Sequence, residues 1–153
     1  MFLCLSPADA VLPDPGACSL PSAFEGAGMT TSLVLYVEDD PVNVMLMQGI
    51  LELRPGCSLL VARSGAEARR LVAQDRVDLL LCDLRLPDIG GDELLPQLRD
   101  AGLPEGVPAL LVTAESEFVA SQLARRHGFD GYWNKPLDLA ATLRSLEHWL
   151  RGQ

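Results

Sequence analysis

Polar and charged side chains follow four apolar stretches of the sequence, at the point where each stretch ends. These residues are Asp39 and Asp40, then Asp83, Thr113 and Lys135. Three carboxylates held close together raise one another's pKa unless a cation neutralises them, and Mg²⁺ prefers a few carboxylates with waters and a phosphate oxygen. A hydroxyl and an ammonium group beside such an ion could stabilise a phosphoryl group in transfer. The central aspartate could then be the nucleophile and become an acyl phosphate.

The stretch that ends in Asp83 carries the strongest chemical signal. Residues 77–82 are apolar except at Asp78, which predicts a strand buried on both faces. Asp83 follows at the carboxyl end, the edge where open α/β sheets bind ligands. A helix cap is the alternative role, but Pro87 disfavours helical geometry at Leu86, so a helix cannot begin at once. We therefore expect Asp83 to be a chemical group.

Two of the other polar residues have distinct signals. Asp40 precedes Pro41, so it is also a good N-cap for the helix that follows. Lys135 is the only lysine of the chain, whose other basic residues are arginines. A lysine suits a phosphoryl group in motion because it is a compact, mobile charge, whereas arginine binds through a rigid fork.

Composition limits the classes of partner and the compartment. The 153 residues suffice for one domain, and the net charge of −9 argues against a nucleic-acid partner. No apolar run approaches the roughly 20 residues of a membrane span. The cysteines show no C-x-x-C spacing, which argues against a zinc site and fits free thiols in a reducing compartment. We expect a cytoplasmic protein that binds neither nucleic acid nor membrane.

Five apolar strands alternate with five helical patterns over residues 31–151. The predicted strands cover residues 33–37, 57–62, 77–82, 107–112 and 132–134. Helices are expected after the N-cap residues Asp40, Ser64 and Asp138, and Gly128 should end the fourth helix. This alternation predicts an α/β fold with a parallel sheet, helices on both faces and all strand carboxyl ends on one edge.

Two expectations concern individual helices. The first helix has apolar residues at spacings of three and four, which should face the core. They are Val42, Met45, Leu46, Ile50 and Leu53. Pro96 lies inside the third helix and should kink or shorten it.

Residues 1–30 do not resemble part of the fold, because prolines and glycines interrupt every periodicity. A signal peptide is disfavoured, since no lysine or arginine occurs before Arg54. We expect a disordered N-terminal segment, or an extension ahead of a true start at Met29.

The motifs, in their order, resemble the receiver domain of two-component response regulators. They are the acidic pair 39–40, Asp83 with Pro87 and Gly91, the pair 113–114, and Tyr132-x-x-Lys135-Pro136. The resemblance covers residues 31–151 and implies a flavodoxin-like, doubly wound sheet of five strands in the order 2-1-3-4-5. It implies that Asp83 takes a phosphoryl group from a phosphohistidine on a histidine kinase or histidine phosphotransfer protein. Such a domain catalyses only its own phosphorylation and dephosphorylation.

The resemblance also implies roles for the surrounding residues. Asp39, Asp83 and the backbone carbonyl of Arg85 would bind Mg²⁺, with Asp40 reaching the ion through water. Thr113 and Tyr132 resemble the switch pair that changes a protein-binding face for a downstream target, which the sequence does not identify. A homodimer through that face is a further expectation.

The segment from Val37 to Asn43 is most similar to the corresponding segment of receivers that are attached to, or work with, hybrid histidine kinases. Because the sequence stops at Gln153, just past the last helix, we expect either a free-standing receiver or a fragment of a hybrid protein.

Two other classes compete with this interpretation. A haloacid-dehalogenase-like phosphatase also uses a strand-end aspartate with Mg²⁺, but it needs a second aspartate two residues on, where this chain has Arg85. A degenerate receiver would bind partners without phosphorylation, but such domains usually lack one of the key groups, and all are present here.

Arg85 and Glu115 each lie two residues beyond a site residue, Asp83 and Thr113. We predict that both side chains overhang the site and form an ion pair across its mouth, which would slow hydrolysis of a phosphoaspartate. The alternative is that both are solvated independently.

Overall fold

The computed structural model describes residues 30–151, in which five strands and five helices alternate. The strands are β1 Ser32–Val37, β2 Cys57–Ala62, β3 Leu79–Asp83, β4 Ala109–Thr113 and β5 Gly131–Asn134. The helices are α1 Pro41–Glu52, α2 Gly65–Gln74, α3 Gly91–Ala101, α4 Glu117–His127 and α5 Leu139–Leu150. The predicted α/β alternation is confirmed, while the expectations for residues 1–29 lie outside the described part.

All five strands are parallel and lie in the order β2-β1-β3-β4-β5, which confirms the flavodoxin-like topology. Asp83 at the end of β3 lies opposite Val112 of β4, and Thr113 lies opposite Asn134 of β5. The carboxyl ends of the three strands therefore meet at one edge. In this described region, no helix is long and apolar enough to cross a membrane.

Alternate residues of each buried strand face opposite apolar layers, as the two-residue period of a strand requires. One layer packs under α2, α3 and α4 and contains Leu35, Leu80 and Leu111. The other packs under α1 and α5 and contains Tyr36, Leu81 and Leu110. The sheet is thus covered on both faces, and its rim remains open for chemistry.

The predicted helix ends are confirmed. Asp40, Ser64 and Asp138 each accept a backbone N–H of the first turn, and Gly128 ends α4 with φ of 82°. The Ser64 motif differs in detail from a complete capping box, because the Glu67 carboxylate accepts the N–H of Arg63 rather than that of the cap residue.

The predicted inward face of α1 is wrong for four of its five residues. Ile50 is buried, but Val42 and Met45 are each 69% exposed, and Leu46 and Leu53 are also exposed. The buried residues are Val44, Met47, Ile50 and Leu51. The helix is apolar on two sides, so spacing alone could not select the side that packs on the sheet.

The expected shortening of α3 at Pro96 does not occur. The helix continues five residues beyond the proline, to Ala101. Leu94, Leu95 and Leu98 are all buried beneath it. This packing offsets the one backbone hydrogen bond that a proline removes from a helix interior.

Two strands begin later than predicted, β3 at Leu79 and β4 at Ala109. Asp78 precedes β3 and contacts the beginning of β1. Its carboxylate accepts the N–H of Leu33 at 2.8 Å. The polar residue inside the apolar run thus marks the entry to the strand rather than a position within it.

Candidate functional site

Three carboxylates meet at the ends of the neighbouring strands β1 and β3. They belong to Glu38, Asp39 and Asp83, each of which offers an oxygen within 4.8 Å of the others. Glu38 and Asp83 are buried, whereas Asp39 is exposed. Because β1 and β3 are paired, the two strand ends bring these groups together without any long connection.

The structure does not place Asp40 among these carboxylates. Asp40 is exposed and serves as the N-cap of α1, where its carboxylate accepts the N–H of Val42 at 2.8 Å. Its own N–H donates to Glu38 Oε1 at 3.1 Å. The close group of three carboxylates therefore contains Glu38, which sequence reasoning left without a role, while contact of Asp40 with an ion through water stays a prediction.

Lys135 brings a positive charge to the cluster from the end of β5. Its Nζ lies 2.6 Å from Glu38 Oε2 and 3.2 Å from Asp83 Oδ2. Asp83 ends β3 and Lys135 follows β5, so strand β4 lies between them in the sheet. The long lysine side chain spans this distance. One ammonium group therefore faces a cluster of three carboxylates, and the local charge is negative.

The pKa values of these groups reflect burial and close pairing. Burial raises the pKa of Asp83 to about 6, with Glu38 adding to the rise and Lys135 opposing it. Burial alone would raise the pKa of Glu38, but hydrogen bonds from Lys135 and the Asp40 amide hold it below the usual value. Burial alone would lower the pKa of Lys135, but its two carboxylate partners, Glu38 and Asp83, raise it above the usual value.

Asp83 opens into a cavity of about 280 Å³ at the rim of the sheet. Its other lining residues are Arg85, Thr113, Ala114, Glu115 and Lys135. The space is several times the roughly 30 Å³ that one water occupies in the liquid, so a phosphoryl group and bound waters can enter it.

Thr113 ends β4 and lies almost fully buried in the cavity wall. Its hydroxyl oxygen accepts the N–H of Glu115 at 3.2 Å. The Asn134 side chain donates to the Glu115 carbonyl at 2.7 Å, which fixes the loop after β4 against β5. Tyr132, the other predicted switch residue, is half-buried in β5 on the side of α4.

Arg85 and Glu115 form an ion pair at the mouth of this cavity. Arg85 Nη2 donates to Glu115 Oε1 at 3.1 Å, and the arginine side chain is 84% exposed. The predicted pairing is thus present in the structure. Its effect on the lifetime of a phosphoaspartate remains a prediction.

The loop between β3 and α3 is held by contacts that sequence reasoning missed. The Asp88 carboxylate accepts the N–H groups of Gly65 and Ala66, at 2.9 and 3.0 Å, and these hydrogen bonds lower the pKa of Asp88. Gly91 approaches the Asp83 carbonyl so closely that any Cβ there would overlap the carbonyl oxygen. Both contacts set the path of the backbone that leaves Asp83, including Arg85.

The residues of the cluster fit a hard divalent cation. Glu38, Asp39 and Asp83 offer only carboxylate oxygens, the ligands that Mg²⁺ and Ca²⁺ prefer. Two of the three are buried, so their negative charge is poorly screened by water. Lys135 supplies one positive charge against these three carboxylates, so the cluster keeps a net negative charge that a divalent cation could neutralise.

Most of the described part of the chain matches the model of a known protein family. Residues 34–147 match the family model described as response regulator receiver domain. The chain therefore belongs to the family of receiver domains of two-component response regulators.

Two relatives are similar over most of this chain. The chain is 29% identical to the polar-differentiation response regulator DivK of Brucella ovis over 120 residues, which are 78% of this chain and 97% of DivK. It is 32% identical to an uncharacterised 14.6 kDa protein of Leptolyngbya boryana over 116 residues, 76% of this chain and 88% of that protein.

A similar crystal structure is the receiver domain of a sensor histidine kinase from Pseudomonas aeruginosa PAO1. It shows 28% sequence identity and a TM-score of 0.70, and the match covers 78% of this chain and 98% of that one. That structure has a magnesium ion coordinated in its active-site cleft.

Proposed function

We propose that this receiver domain is a cytoplasmic phosphoacceptor, which takes a phosphoryl group from a phosphohistidine onto Asp83 in the presence of Mg²⁺. The observation that carries the proposal is the position of Asp83. Its carboxylate lines the cavity, lies 3.2 Å from Lys135 Nζ and shares the rim with the carboxylates of Glu38 and Asp39. These groups are the ones needed to activate an aspartate and to neutralise a phosphoryl group.

The transfer requires a single displacement at phosphorus. A carboxylate oxygen of Asp83 attacks the phosphorus of the donor, the P–N bond breaks, and the bond electrons leave with the imidazole nitrogen. Lys135 donates to the incoming phosphoryl group, and the Thr113 hydroxyl lines the same cavity. When bound, Mg²⁺ would neutralise the phosphoryl oxygens.

The residues that would hold the ion are those that meet at the strand ends. We propose Glu38, Asp39 and Asp83, with the backbone carbonyl of Arg85 as a further ligand. Asp40 is left as the helix cap, because its carboxylate already accepts a backbone N–H of α1. The revised set differs from the sequence prediction at one position, with Glu38 in place of Asp40.

The proposed function is tested with a small phosphodonor. With acetyl phosphate and Mg²⁺, the protein should gain one phosphate that hydroxylamine removes, since hydroxylamine cleaves acyl phosphates. Chelation of the divalent ion with EDTA should abolish the labelling. If the protein takes up no phosphate under these conditions, or takes it up equally with EDTA, the proposal is wrong.

The Arg85–Glu115 ion pair is expected to slow loss of the phosphoryl group. Each side chain lies on one side of the cavity mouth, where attacking water must pass. An exposed pair contributes about 0–1 kcal/mol. Since 1.36 kcal/mol is about a tenfold change in rate, breaking the pair should speed dephosphorylation by less than about tenfold.

The pair is tested by a double-mutant cycle of Arg85→Ala, Glu115→Ala and the double variant, with the dephosphorylation rate as the readout. Both substitutions retain the backbone, including the carbonyl proposed for the ion. If the two single effects simply add, the residues do not act as a pair.

We propose that phosphorylation moves Thr113 and Tyr132 and so changes the face formed by α4, β5 and α5, which binds a downstream protein. In this structure, the Thr113 hydroxyl accepts an N–H of its own loop. A phosphoryl group on Asp83 offers that hydroxyl an acceptor, so the two states differ in the contacts that the phosphate makes. A homodimer through this face belongs to the same proposal.

We propose that a row of exposed apolar side chains on α1 binds the protein that carries the phosphohistidine. Val42, Met45 and Leu46 are exposed on the helix that begins three residues after Glu38. A protein that delivers a phosphoryl group into the cavity must cover the rim beside this helix. Exposed apolar side chains next to a reaction site favour such a protein–protein contact.

Met45→Glu should therefore slow transfer from a histidine phosphotransfer protein that phosphorylates the wild type, by about tenfold or more, because a charge would be buried in the contact. Labelling by acetyl phosphate should not change. Leu53→Glu is the matched control, since it adds the same charge at the C-cap of α1, roughly 12 Å from Met45 along the helix axis. Equal slowing by both variants, or by neither, would contradict the docking proposal.

A further inference from the structure

Tyr36 lies in the middle of the apolar layer beneath α1 and α5, and its side chain is fully buried. A buried tyrosine needs a hydrogen-bond partner for its hydroxyl. Here the hydroxyl donates to Glu38 Oε2 at 3.0 Å. A phenylalanine would supply the same buried ring, so the hydroxyl is the feature that needs explanation.

Glu38 accepts four hydrogen bonds, three of them through Oε2. Oε2 accepts the Tyr36 hydroxyl, the Asn43 side-chain amide at 3.2 Å and Lys135 Nζ at 2.6 Å. Oε1 accepts the Asp40 N–H at 3.1 Å. A carboxylate oxygen has about two lone-pair sites, so Oε2 is saturated while Oε1 retains capacity for one more partner.

The two neutral donors differ from Lys135 in what they can do. Lys135 is shared between Glu38 and Asp83, and it must also reach a phosphoryl group if Asp83 is modified. Tyr36 comes from β1 and Asn43 from the first turn of α1, and both donate to Glu38 alone. They can therefore hold the Glu38 carboxylate in place whether or not Lys135 moves.

We propose that Tyr36 and Asn43 are positioning residues of the cation site, which fix the Glu38 carboxylate so that Oε1 is presented to the divalent ion or to a water bound to it. This inference rests on the proposed Mg²⁺ site and names the residues that set its geometry. Partners that orient ligands of a metal typically affect its affinity by about 10–100-fold.

The test is the Mg²⁺ affinity of the full chain, measured by isothermal titration calorimetry. Tyr36→Phe retains the ring and removes only the hydroxyl, and it should weaken Mg²⁺ binding by about tenfold. Asn43→Ala should also weaken it, by a smaller factor, because the 3.2 Å hydrogen bond is longer and partly solvated. Ser145→Ala is the matched control, since it removes the acceptor of the Trp133 indole N–H at 2.8 Å, a hydrogen bond that involves no carboxylate of the cluster, and it should leave the affinity unchanged.

A double-mutant cycle separates positioning from general loosening of the core. In a Glu38→Gln background, Tyr36→Phe should have no further effect on Mg²⁺ affinity, because its action runs through that carboxylate. Additive effects would overturn the inference, as would affinities within about twofold of wild type for both Tyr36→Phe and Asn43→Ala. If Tyr36→Phe does not fold, the result for Asn43→Ala decides. Failure of the wild type to bind Mg²⁺ would overturn the proposed function as well, whereas a normal wild type with unaffected variants overturns this inference alone.

Discussion

Lys135→Met is expected to destabilise the metal-free protein by about 3–5 kcal/mol and to tighten Mg²⁺ binding. The stability loss follows from burial, because Glu38 is inaccessible to solvent and would lose the ammonium group that lies 2.6 Å from it. Removing one partner of a buried ion pair leaves an uncompensated charge, which costs about this much. The same charge removal leaves three carboxylates without their cation, so Mg²⁺ should bind at least about tenfold more tightly.

Urea unfolding with and without Mg²⁺ measures both effects, and saturating Mg²⁺ should restore much of the lost stability. Arg70→Met is the control, because Arg70 is 65% exposed and pairs with Glu67 on the surface of α2. It should change the unfolding free energy by no more than about 1 kcal/mol and leave Mg²⁺ affinity as it was. A Lys135→Met protein that is as stable as wild type, or that binds Mg²⁺ more weakly, would contradict the described charge balance.

Asp83→Asn is expected to stabilise the metal-free protein at neutral pH, by up to about 3 kcal/mol. Burial raises the pKa of Asp83 from 3.8 to about 6, so the folded state binds this proton more tightly than the unfolded state does. The ionised carboxylate therefore destabilises the fold, and its contribution worsens as pH rises from about 4 to about 6 and is constant above. Asparagine cannot ionise, so the gain should be absent near pH 3.5 and complete above roughly pH 7.

Urea denaturation in EDTA across this pH range tests the expected profile. Asp100→Asn is the matched control, because it makes the same chemical change on the exposed side of α3. Its effect should stay below about 1 kcal/mol. If the gain from Asp83→Asn does not vary with pH, or if the variant is less stable than wild type at neutral pH, the raised pKa is not the cause. Added Mg²⁺ should reduce the difference, since the wild-type site offers the ion three carboxylates and the variant offers two.

The sequence was sufficient to predict the parallel sheet, because each strand is a short apolar run with clear ends. Each short apolar run between helical patterns can only be a buried parallel strand, and the last residue of such a run must lie at the rim. That reasoning locates Asp83 and Thr113, which close β3 and β4. It locates Lys135 as well, because this residue directly follows β5.

The sequence was least informative where it contains two equivalent choices. Three consecutive acids follow β1, and a shift of one position decides whether Asp40 or Glu38 joins the cluster. Helix α1 is apolar on two sides, so its spacing pattern also fits the exposed row with Met45. Contacts between remote segments, such as those of Asp88 with the first turn of α2, leave no local pattern to detect.

The central claim is that Asp83 receives the phosphoryl group, and the most direct measurement is mass spectrometry of the intact and digested protein after incubation with acetyl phosphate and Mg²⁺. Reduction of the acyl phosphate with borohydride before digestion marks the modified residue permanently. We expect the wild type to gain one phosphoryl group, with the mark on Asp83, and Asp83→Asn to gain none. Labelling of Asp83→Asn to the wild-type extent, or a mark on Glu38 or Asp39 in the wild type, would contradict the claim.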